Sequence, residues 1–387
     1  MEKNFASLLT SHSSLIKVLH YVDAENISWL KPYIEHIKTL EKFNIESLLL
    51  CRPDGEMEQA GHDNNIPTFT WRPLASGLPF LSPDFVRLIK KISPDLIHTR
   101  LSSAAGIANF WKNFHHVPVV STFDKPAKAK YYRGASRCIS CAEWLKNYMA
   151  GTQGINPDKI DVIHNPVDAE KFSRDESARK KFRASLGIAD DEILFSGMGI
   201  YIHRKGFDIL IKAFAKVRNI YGGKIKLALI GGSGDQRENY LSLACSLGVE
   251  IIMPDEFISD VREWLWASDI FVMPSREEGF SIALLEAMAS GLPVIVSDIE
   301  PCTEIISREK NNGLTAASEN PESFASAMLE MLNAGEERRK NFVSASLKMI
   351  RENFTPEAAA EKTFEVYKRV MTASPNAEED GQAFHRQ

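Results

Sequence analysis

Short apolar strands alternate with helical segments along most of this 387-residue chain. Near the N-terminus IKVLHYV is followed by the helical segment SWLKPYIEHIKTLEKF, and in the second half KIKLALIGG is followed by QRENYLSLACSLG. Strands that are separated by helices pair in parallel, and the helices then cover both faces of the sheet. The alternation therefore predicts an α/β fold of doubly wound parallel sheets.

The alternation occurs twice, which predicts two domains, and the length of 387 residues also exceeds what one ordinary core holds. A polar, charge-rich stretch, AEKFSRDESARKKFRASLGIADDE, separates the two runs, so we place the boundary near residues 170–190. The first domain then spans residues 1–175 and the second residues 190–352. A last helix, PEAAAEKTFEVYKRVM, follows, and the polar tail at residues 373–387 is expected to be disordered.

The composition is that of a globular protein, with 25% charged and 44% hydrophobic residues. A net charge of −5 argues against general binding of nucleic acid. We find no apolar run that could span a bilayer and no signal-peptide pattern at the N-terminus, and five scattered cysteines suit a reducing cytoplasm. Cys138 and Cys141 have redox or zinc spacing, but without a second pair nearby we interpret them as ordinary small residues.

Two glycine-containing loops after strands have the composition of anion-binding sites. In SGMGIYIHRKGFD, three cations, His203, Arg204 and Lys205, precede the start of a helix. In IGGSGD, Gly232 lies in a flexible turn after a strand. Helix N-termini and flexible backbone amides favour phosphate, although glycine after a strand is more often only a turn.

A third loop, SREEGFSIALLEAMASGLPV, joins a short strand to a helix that Gly291 and Pro293 end. The amides of Gly279, Phe280 and Ser281 stand at the helix start, where they could hold a diphosphate.

Two glutamates, Glu278 and Glu286, bracket this third loop and the first turns of its helix. A carboxylate at Glu286 would repel phosphate, so a ribose or sugar diol fits it better, because a carboxylate accepts hydrogen bonds from two hydroxyls. The alternative is a solvated pair at the surface.

The two glutamates and the sequence around them resemble the donor-binding signature of the family-four retaining glycosyltransferases, the group 1 glycosyltransferases of the GT-B fold. PDLIHTR, VPVVST, KIDVIHNPVDAEKF, KGFDILIKAF, LIGGSGD and FVMPSREEGF occur in the order and spacing of that family. The resemblance implies two Rossmann-like domains that face each other across a cleft. It also implies a last helix, residues 355–372, that crosses back to the first domain.

The resemblance implies roles for the residues that match. Glu286 resembles the glutamate that holds the ribose of a nucleotide-sugar, and Glu278 the one placed near the donor sugar. The backbone of residues 279–281 receives the pyrophosphate and donor hydroxyls, Lys205 neutralises the diphosphate, and base recognition falls near Ile258. The implied reaction transfers a glycosyl unit with retention and needs neither a metal nor a cofactor beyond the nucleotide-sugar co-substrate.

The chain departs from the family in three places. Met198 stands where the family usually has an arginine, which Arg204 or His203 could replace. Thr122-Phe123-Asp124 stands where the family often has a histidine near the donor sugar. DAENISWL occupies the place of a glycine-rich loop. Asp124 is therefore a candidate holder of a sugar hydroxyl, and its alternative is an aspartate that only caps a loop.

The stretch STFDKPAKAKYYRG is the candidate acceptor side. Lys125, Lys128, Lys130 and Tyr131 would attract an anionic acceptor and stack on its sugar rings, and the alternative is a solvated loop. We expect an acceptor with phosphate or carboxylate, such as lipopolysaccharide or a lipid-linked glycan.

Three functions compete at this point. The first is a retaining hexosyltransferase of bacterial lipopolysaccharide or cell-envelope type. The second is another GT-B enzyme, a sugar-nucleotide epimerase or a phosphorylase. The third is a catalytically silent scaffold that binds nucleotide-sugars. The resemblance implies a cytoplasmic protein and allows peripheral contact with the inner face of the cytoplasmic membrane.

Overall fold

The computed structural model describes residues 15–27, 29–307 and 309–373. They divide into two compact units, one of residues up to 164 together with those from 356 onward, and one of residues 165–355. The predicted tail lies, beyond residue 373, outside the described residues.

The first unit is built on a parallel sheet of seven strands, in the order β3-β2-β1-β4-β5-β6-β7. The order reverses direction between β1 and β4, which is where open α/β sheets place ligands, at the carboxyl ends of the strands. The strands are β1 (Ile16–Val22), β2 (Ile45–Cys51), β3 (Thr68–Thr70), β4 (Leu96–Arg100), β5 (Val119–Phe123), β6 (Arg137–Ser140) and β7 (Ile160–Val162).

Helices cover both faces of this sheet. Phe85 and Ile89 pack on one face together with Ile107, whereas Tyr33 and Met57 pack on the other. The helices are α1 (Leu30–Leu40), α2 (Glu56–Asp63), α3 (Asp84–Ile92), α4 (Ser102–His115) and α5 (Glu143–Gly151). Short 3-10 helices lie at Glu41–Phe43, Pro79–Leu81, Ala129–Tyr131 and Pro157–Lys159.

The second unit is built on a parallel sheet of six strands, in the order β10-β9-β8-β11-β12-β13. Its strands are β8 (Ile193–Met198), β9 (Ile225–Ile230), β10 (Ile251–Ile252), β11 (Ile270–Met273), β12 (Val294–Ser297) and β13 (Leu314–Ala316). Its first helices are α6 (Ala169–Phe172), α7 (Glu176–Ser185), α8 (Phe207–Ile220), α9 (Arg237–Ser246) and α10 (Arg262–Ala267). The later helices are α11 (Ile282–Ala289), α12 (Glu300–Thr303), α13 (Pro321–Asn333) and α14 (Gly335–Asn353), and a 3-10 turn lies at His203–Lys205.

The last helix, α15 (Pro356–Thr372), belongs to the first unit, where the family resemblance placed it. Ala360 and Val366 join the core under β1, β4 and β5, and Tyr367 hydrogen-bonds through its hydroxyl to His98 Nδ1 at 2.5 Å. Within the described ranges, none of the helices is both long and apolar enough to cross a membrane.

The second unit begins at residue 165, before the predicted boundary near residues 170–190. The charge-rich stretch forms α6 and α7, and Arg179 and Arg183 of α7 bind groups elsewhere in the second unit instead of facing water. Arg183 is 2% exposed and donates hydrogen bonds to the carbonyls of Ala189 and Ala267, and its guanidinium contacts the carboxylate of Asp269 at 3.0 Å. Arg179 donates to the carbonyl at position 268 and to the same carboxylate.

We expect Arg183→Ala to lower the free energy of unfolding by about 3–5 kcal/mol, because it leaves buried oxygens without their donor. Denaturant unfolding followed by tryptophan fluorescence measures the change. Lys181→Ala, an exposed cation of the same helix, is the matched control and should change stability by less than about 0.5 kcal/mol. Equal effects of the two substitutions would show that Arg183 is not a structural anchor.

Three buried histidines meet beneath the carboxyl end of the first sheet. His98 Nε2 hydrogen-bonds to Thr122 Oγ1 at 2.7 Å, and His36 Nε2 lies 3.4 Å from Thr363 Oγ1. Neither ring nitrogen of His20 has a hydrogen-bond partner among the described residues. Burial lowers the pKa of His20 and of His36 from 6.5 to about 3, and it lowers the pKa of His98 as well.

These lowered pKa values predict that the first unit loses stability on acidification. Below about pH 6.5 the imidazoles of the unfolded chain bind protons that the folded imidazoles do not. The contribution of these histidines to the free energy of unfolding is therefore fully present above that pH and is lost progressively as the pH falls toward 3. Each such histidine adds up to about 1.4 kcal/mol per pH unit to the slope.

Urea unfolding at a series of pH values measures this slope. We expect His36→Gln to reduce this slope by about one proton. An unchanged slope in the His36 variant would mean that the histidine is protonated in the folded protein.

Candidate functional site

The predicted donor-side residues of the second unit follow the carboxyl ends of four neighbouring strands. Lys205 comes after β8, Gly232 after β9, Ile258 after β10 and Glu278 after β11, and these strands are adjacent in the order β10-β9-β8-β11. Because carboxyl ends of parallel strands meet at one edge of the sheet, the loops gather there.

Lys205 and Glu278 form an ion pair at this edge. The Lys205 ammonium lies 2.6 Å from Glu278 Oε1, and the side chains are 13% and 6% exposed. Ser275 Oγ donates a hydrogen bond to the same oxygen at 2.7 Å. The pair therefore places a cation and an anion, both shielded from water, where β8 and β11 end.

Backbone geometry fixes where Lys205 points. The aliphatic part of its side chain packs on Gly199, where an added Cβ would come within 3.0 Å of Cε. Gly206, directly after it, has a φ of +67°, and an added Cβ would lie 2.1 Å from the carbonyl oxygen of Pro274. The loops after β8 and β11 therefore approach each other more closely than residues with side chains would allow.

A second ion pair, which no sequence pattern indicated, joins the loop after β11 to the first turn of α8. Arg276 donates to both carboxylate oxygens of Asp208, at 2.8 and 2.9 Å, and its backbone amide donates to the carbonyl of Arg204. Although burial alone would raise it, the hydrogen bonds from Arg276 hold the pKa of Asp208 below its ordinary value. The side chain of Arg204 is exposed. Arg276 lies two residues before Glu278 and Asp208 three residues after Lys205, and charges at these spacings carry no signal in a single sequence.

The glycine loop after β9 makes close backbone contacts of its own. A Cβ at Gly232, whose φ is +91°, would lie 2.4 Å from the carbonyl oxygen of Glu256, and one at Gly234 would lie 2.3 Å from that of Tyr201. The amide of Ile258 donates to the carbonyl of Gly231 at 2.8 Å. Close packing of the backbone explains why these positions are glycines, whether or not a phosphate binds at the loop.

The helix α11 begins at Ile282, so the loop residues 279–281 lead directly into its first turn. Ser281 is the N-cap, and its hydroxyl accepts from the amide of Leu284 at 3.3 Å. Phe280 is buried, with its ring centroid 5.8 Å from that of Phe354. Glu286 is half-buried in the second turn of α11.

Asp124 lies in the first unit, directly after β5. Its Oδ1 is 3.5 Å from Nη1 of Arg100, the last residue of β4. The Arg100 guanidinium also lies 5.3 Å from the ring centroids of Trp29 and of Tyr33, a cation–π arrangement. Arg100, which no sequence pattern indicated, is thus a cationic partner of Asp124 that the rings of Trp29 and Tyr33 hold in position.

The predicted acceptor residues follow Asp124 on the surface of the first unit. Lys125, Lys128 and Lys130 are exposed, and Lys130 Nζ lies 4.9 Å above the ring of Tyr131. The Tyr131 ring packs against Gly106, where a Cβ would come within 2.8 Å. Tyr132 is buried, with its hydroxyl 3.0 Å from that of Ser102, so its ring belongs to the core.

Two family models match the chain. The model of Glycosyl transferases group 1 matches residues 178–349, and the model of Glycosyltransferase Family 4 matches residues 34–171. The chain therefore belongs to the group 1 glycosyltransferases.

Several characterised and uncharacterised proteins are similar in sequence. An uncharacterized glycosyltransferase of Methanocaldococcus jannaschii is 31% identical over 67% of this chain and 64% of its own length. A D-inositol 3-phosphate glycosyltransferase of Jonesia denitrificans is 27% identical over 57% of this chain and 53% of its own length. The Escherichia coli O-antigen biosynthesis glycosyltransferase WclY is 25% identical over 55% of this chain and 56% of its own length. The alignments thus span 53–64% of these relatives.

Solved structures show the same fold over almost the whole chain. A glycosyltransferase from Rickettsia africae has a TM-score of 0.81 at 19% identity and covers 93% of this chain and 100% of its own. Anabaena HepE in complex with UDP and glucose has a TM-score of 0.78 at 18% identity, with 92% and 100% covered. The lipopolysaccharide outer core galactosyltransferase WaaB has a TM-score of 0.72 at 19% identity, with 92% and 99% covered. The predicted GT-B class, with two Rossmann-like units, is confirmed.

We expect Gly232→Ala to lower the free energy of unfolding of the second unit by about 1–3 kcal/mol, because a Cβ there meets the backbone at a positive φ. Gly222→Ala is the control, since no atom of the described residues lies within 4 Å of its added Cβ. Thermal unfolding measures both. Equal stability of the two variants would mean that the loop after β9 can move away from Glu256.

Proposed function

We propose that the protein is a retaining glycosyltransferase that moves a hexosyl unit from a nucleotide-diphosphate sugar to a glycan or glycolipid acceptor. The Lys205–Glu278 ion pair, beside the start of α11, is the observation that carries this proposal. The pair provides a cation for a leaving diphosphate and a carboxylate for sugar hydroxyls, and these two groups lie at hydrogen-bond distance from each other.

Charge develops in this reaction mainly on the departing diphosphate. As the bond from the anomeric carbon to the β-phosphate oxygen breaks, negative charge grows on the phosphate, and Lys205 and the amides at the start of α11 would stabilise it. Because these groups are already oriented, little reorganisation is needed when the bond breaks. On this proposal the reaction needs no metal ion.

The proposed transfer proceeds on one face of the sugar. The acceptor oxygen bonds to the anomeric carbon on the face from which the diphosphate leaves, and the acceptor proton goes to a phosphate oxygen. Glu278 would hold a donor hydroxyl, and Glu286 the ribose diol, since an ionised carboxylate accepts two hydrogen bonds. The complex of HepE with UDP and glucose makes UDP-sugars the first donors to test.

The first unit would supply the acceptor side. Asp124, positioned by Arg100, would hold a sugar hydroxyl, and Lys125, Lys128 and Lys130 would attract phosphate or carboxylate on the acceptor. The names of the Escherichia coli and galactosyltransferase relatives favour lipopolysaccharide or O-antigen as the acceptor class.

A second candidate is a protein that binds nucleotide-sugars without turning them over. It is favoured by Met198, which is buried in β8 where the family resemblance expects an arginine, and by Asp124 in place of a histidine. Binding of a nucleotide-sugar without transfer to any acceptor would support this candidate.

Thermal-shift measurements with UDP, GDP and ADP and their sugars test the donor site. One nucleotide should stabilise the wild type by about 2.7 kcal/mol at a hundredfold excess over Kd. Glu286→Ala should abolish the shift, whereas Glu337→Ala, an exposed glutamate of α14, should not. Failure of every nucleotide to shift the wild type would overturn the donor assignment.

Transfer assays then separate the enzyme from the silent binder. Glu278→Gln should keep nucleotide binding but lower kcat by about 10²–10³, because a carboxylate that orients the donor sugar is lost. A chelator should leave the rate unchanged, and the product anomer, read by NMR, should match the donor. An inverted product, or a rate that a chelator abolishes, would contradict the proposed mechanism.

A further inference from the structure

A pocket lined by cations lies at the amino edge of the first sheet, where β5 and β6 begin. Residues at or just before the start of these strands line it, together with residues at the ends of α4 and α15. Its volume is about 390 Å³, within the range of small-molecule pockets, which is roughly 300–1,000 Å³. We call it the basic pocket, and its polar lining residues are Lys112, Asn113, His116, Ser136, Arg137 and Arg369.

The ammonium of Lys112 has only uncharged partners in the part of the chain that the structure describes. It donates to the carbonyl of Gly134 at 3.2 Å and to Ser136 Oγ at 2.9 Å. Burial lowers the pKa of this ammonium, and the positive charge of Lys159 lowers it further. A half-buried cation without a counter-ion gains from the binding of an anion, because the anion offsets the cost of its desolvation.

One carboxylate holds Arg137 and Arg369 side by side. Arg137 Nε lies 2.6 Å from Oδ2 of Asp161, and Arg369 Nη2 lies 2.8 Å from Oδ1 of the same carboxylate. Arg137 also donates through Nη2 to the carbonyl of Asp158. Neither Nη1 has a hydrogen-bond partner among the described residues, so each guanidinium keeps donors for a ligand.

The charges at the basic pocket favour an anion with about two negative charges. Three cations line the pocket, and none of its described lining residues is Asp or Glu. Asp161 pairs with both arginines and offsets one of the three positive charges, so two remain. A phosphomonoester carries about −1.5 to −2 at neutral pH and offers three oxygens as acceptors. Guanidinium groups match the geometry of such oxygens.

The rest of the lining indicates what carries the phosphate. Asn113 and His116 add side chains that can hydrogen-bond to hydroxyls. The described lining contains no Phe, Tyr or Trp, so a nucleotide base would find none of these rings to stack on. The pocket therefore suits a small phosphorylated sugar or polyol better than a nucleotide.

We propose that the basic pocket binds a small phosphorylated sugar or polyol. The phosphate oxygens accept hydrogen bonds from Lys112, Arg137 and Arg369. The hydroxyls contact Asn113 and His116. Because these cations belong to α4, β6 and α15, the bound phosphate also joins the last helix to the sheet.

The basic pocket is separate from the candidate acceptor side. Val119 begins β5 at the pocket, whereas Asp124 follows the carboxyl end of the same strand. A strand rises about 3.3 Å per residue, so the two places lie roughly 15 Å apart. The inference goes beyond the proposed transfer reaction and does not rest on it. A chain that binds a sugar phosphate in this pocket but transfers no sugar would keep the pocket and lose the proposed function.

Isothermal titration calorimetry of the full chain with glucose 6-phosphate tests the proposal. We expect one site per chain, with weaker binding at high salt because salt screens the cations. Glucose, which lacks the phosphate, should not bind at the same concentration. Inorganic phosphate should bind about tenfold more weakly, since it makes no contact through hydroxyls. Saturating UDP should leave the Kd of glucose 6-phosphate unchanged, because the proposed nucleotide site is in the second unit.

Two substitutions at the pocket should each raise this Kd about tenfold or more. Arg369→Gln removes a phosphate donor, and Ala373→Glu adds a negative charge to the lining without removing a side-chain hydrogen bond. Lys362→Gln, at an exposed cation of α15, and Ala184→Glu, at an exposed alanine of α7, are the matched controls and should leave the Kd unchanged. Thermal unfolding of each variant shows whether it is folded.

Four results would overturn the proposal. The first is that the wild type does not bind glucose 6-phosphate at low salt. The second is a Kd that neither pocket variant changes or that the control variants change equally. The third is competition by UDP, which would place the sugar phosphate at a nucleotide site. The fourth is inorganic phosphate that binds as tightly as glucose 6-phosphate, which would assign the pocket to the phosphate ion alone.

Discussion

The ammonium of Lys205 and the carboxylate of Glu278 lie 2.6 Å apart, although both side chains are largely removed from water. Desolvating two charges is costly unless their attraction and further hydrogen bonds offset the cost. Ser275 supplies one such bond, and the paired loops after β8 and β11 supply the fixed geometry. A diphosphate that binds Lys205 would share it with a carboxylate already in place, so the site is organised before any ligand arrives.

Close backbone contacts hold these loops. Gly206 lies against the carbonyl of Pro274, Gly232 against that of Glu256 and Gly234 against that of Tyr201. Arg276 and Asp208 add a bidentate ion pair between the loop after β11 and the first turn of α8. The carboxyl edge of the second sheet is therefore a set of mutually supporting loops, and the length of one constrains its neighbours.

Much of this could be predicted from the sequence, because parallel sheets leave a strong periodic pattern. The pattern placed Lys205 and Glu278 in loops that follow strands. The structure shows that these strands, β8 and β11, are neighbours and that the two side chains form an ion pair. The pattern did not reveal α2 and α3, because both helices are short and bury few residues. The buried residues are Met57 and Gly61 in α2, and Phe85 and Ile89 in α3. The pattern also placed the domain boundary later than residue 165, because an arginine such as Arg183 looks solvated until its binding to the carbonyl of Ala267, 84 residues further along the chain, is known.

The helix α15 has a consequence for how the protein is made. It follows the whole of the second unit in the chain, yet Ala360, Val366 and Tyr367 complete the core beneath β1, β4 and β5 of the first. Domains generally fold as units while the ribosome proceeds from the N-terminus. Here the unit that begins first finishes last: the second unit has all its strands when residue 355 is made, while the first still exposes part of its core. During synthesis the N-terminal half is therefore the part that a chaperone would need to protect.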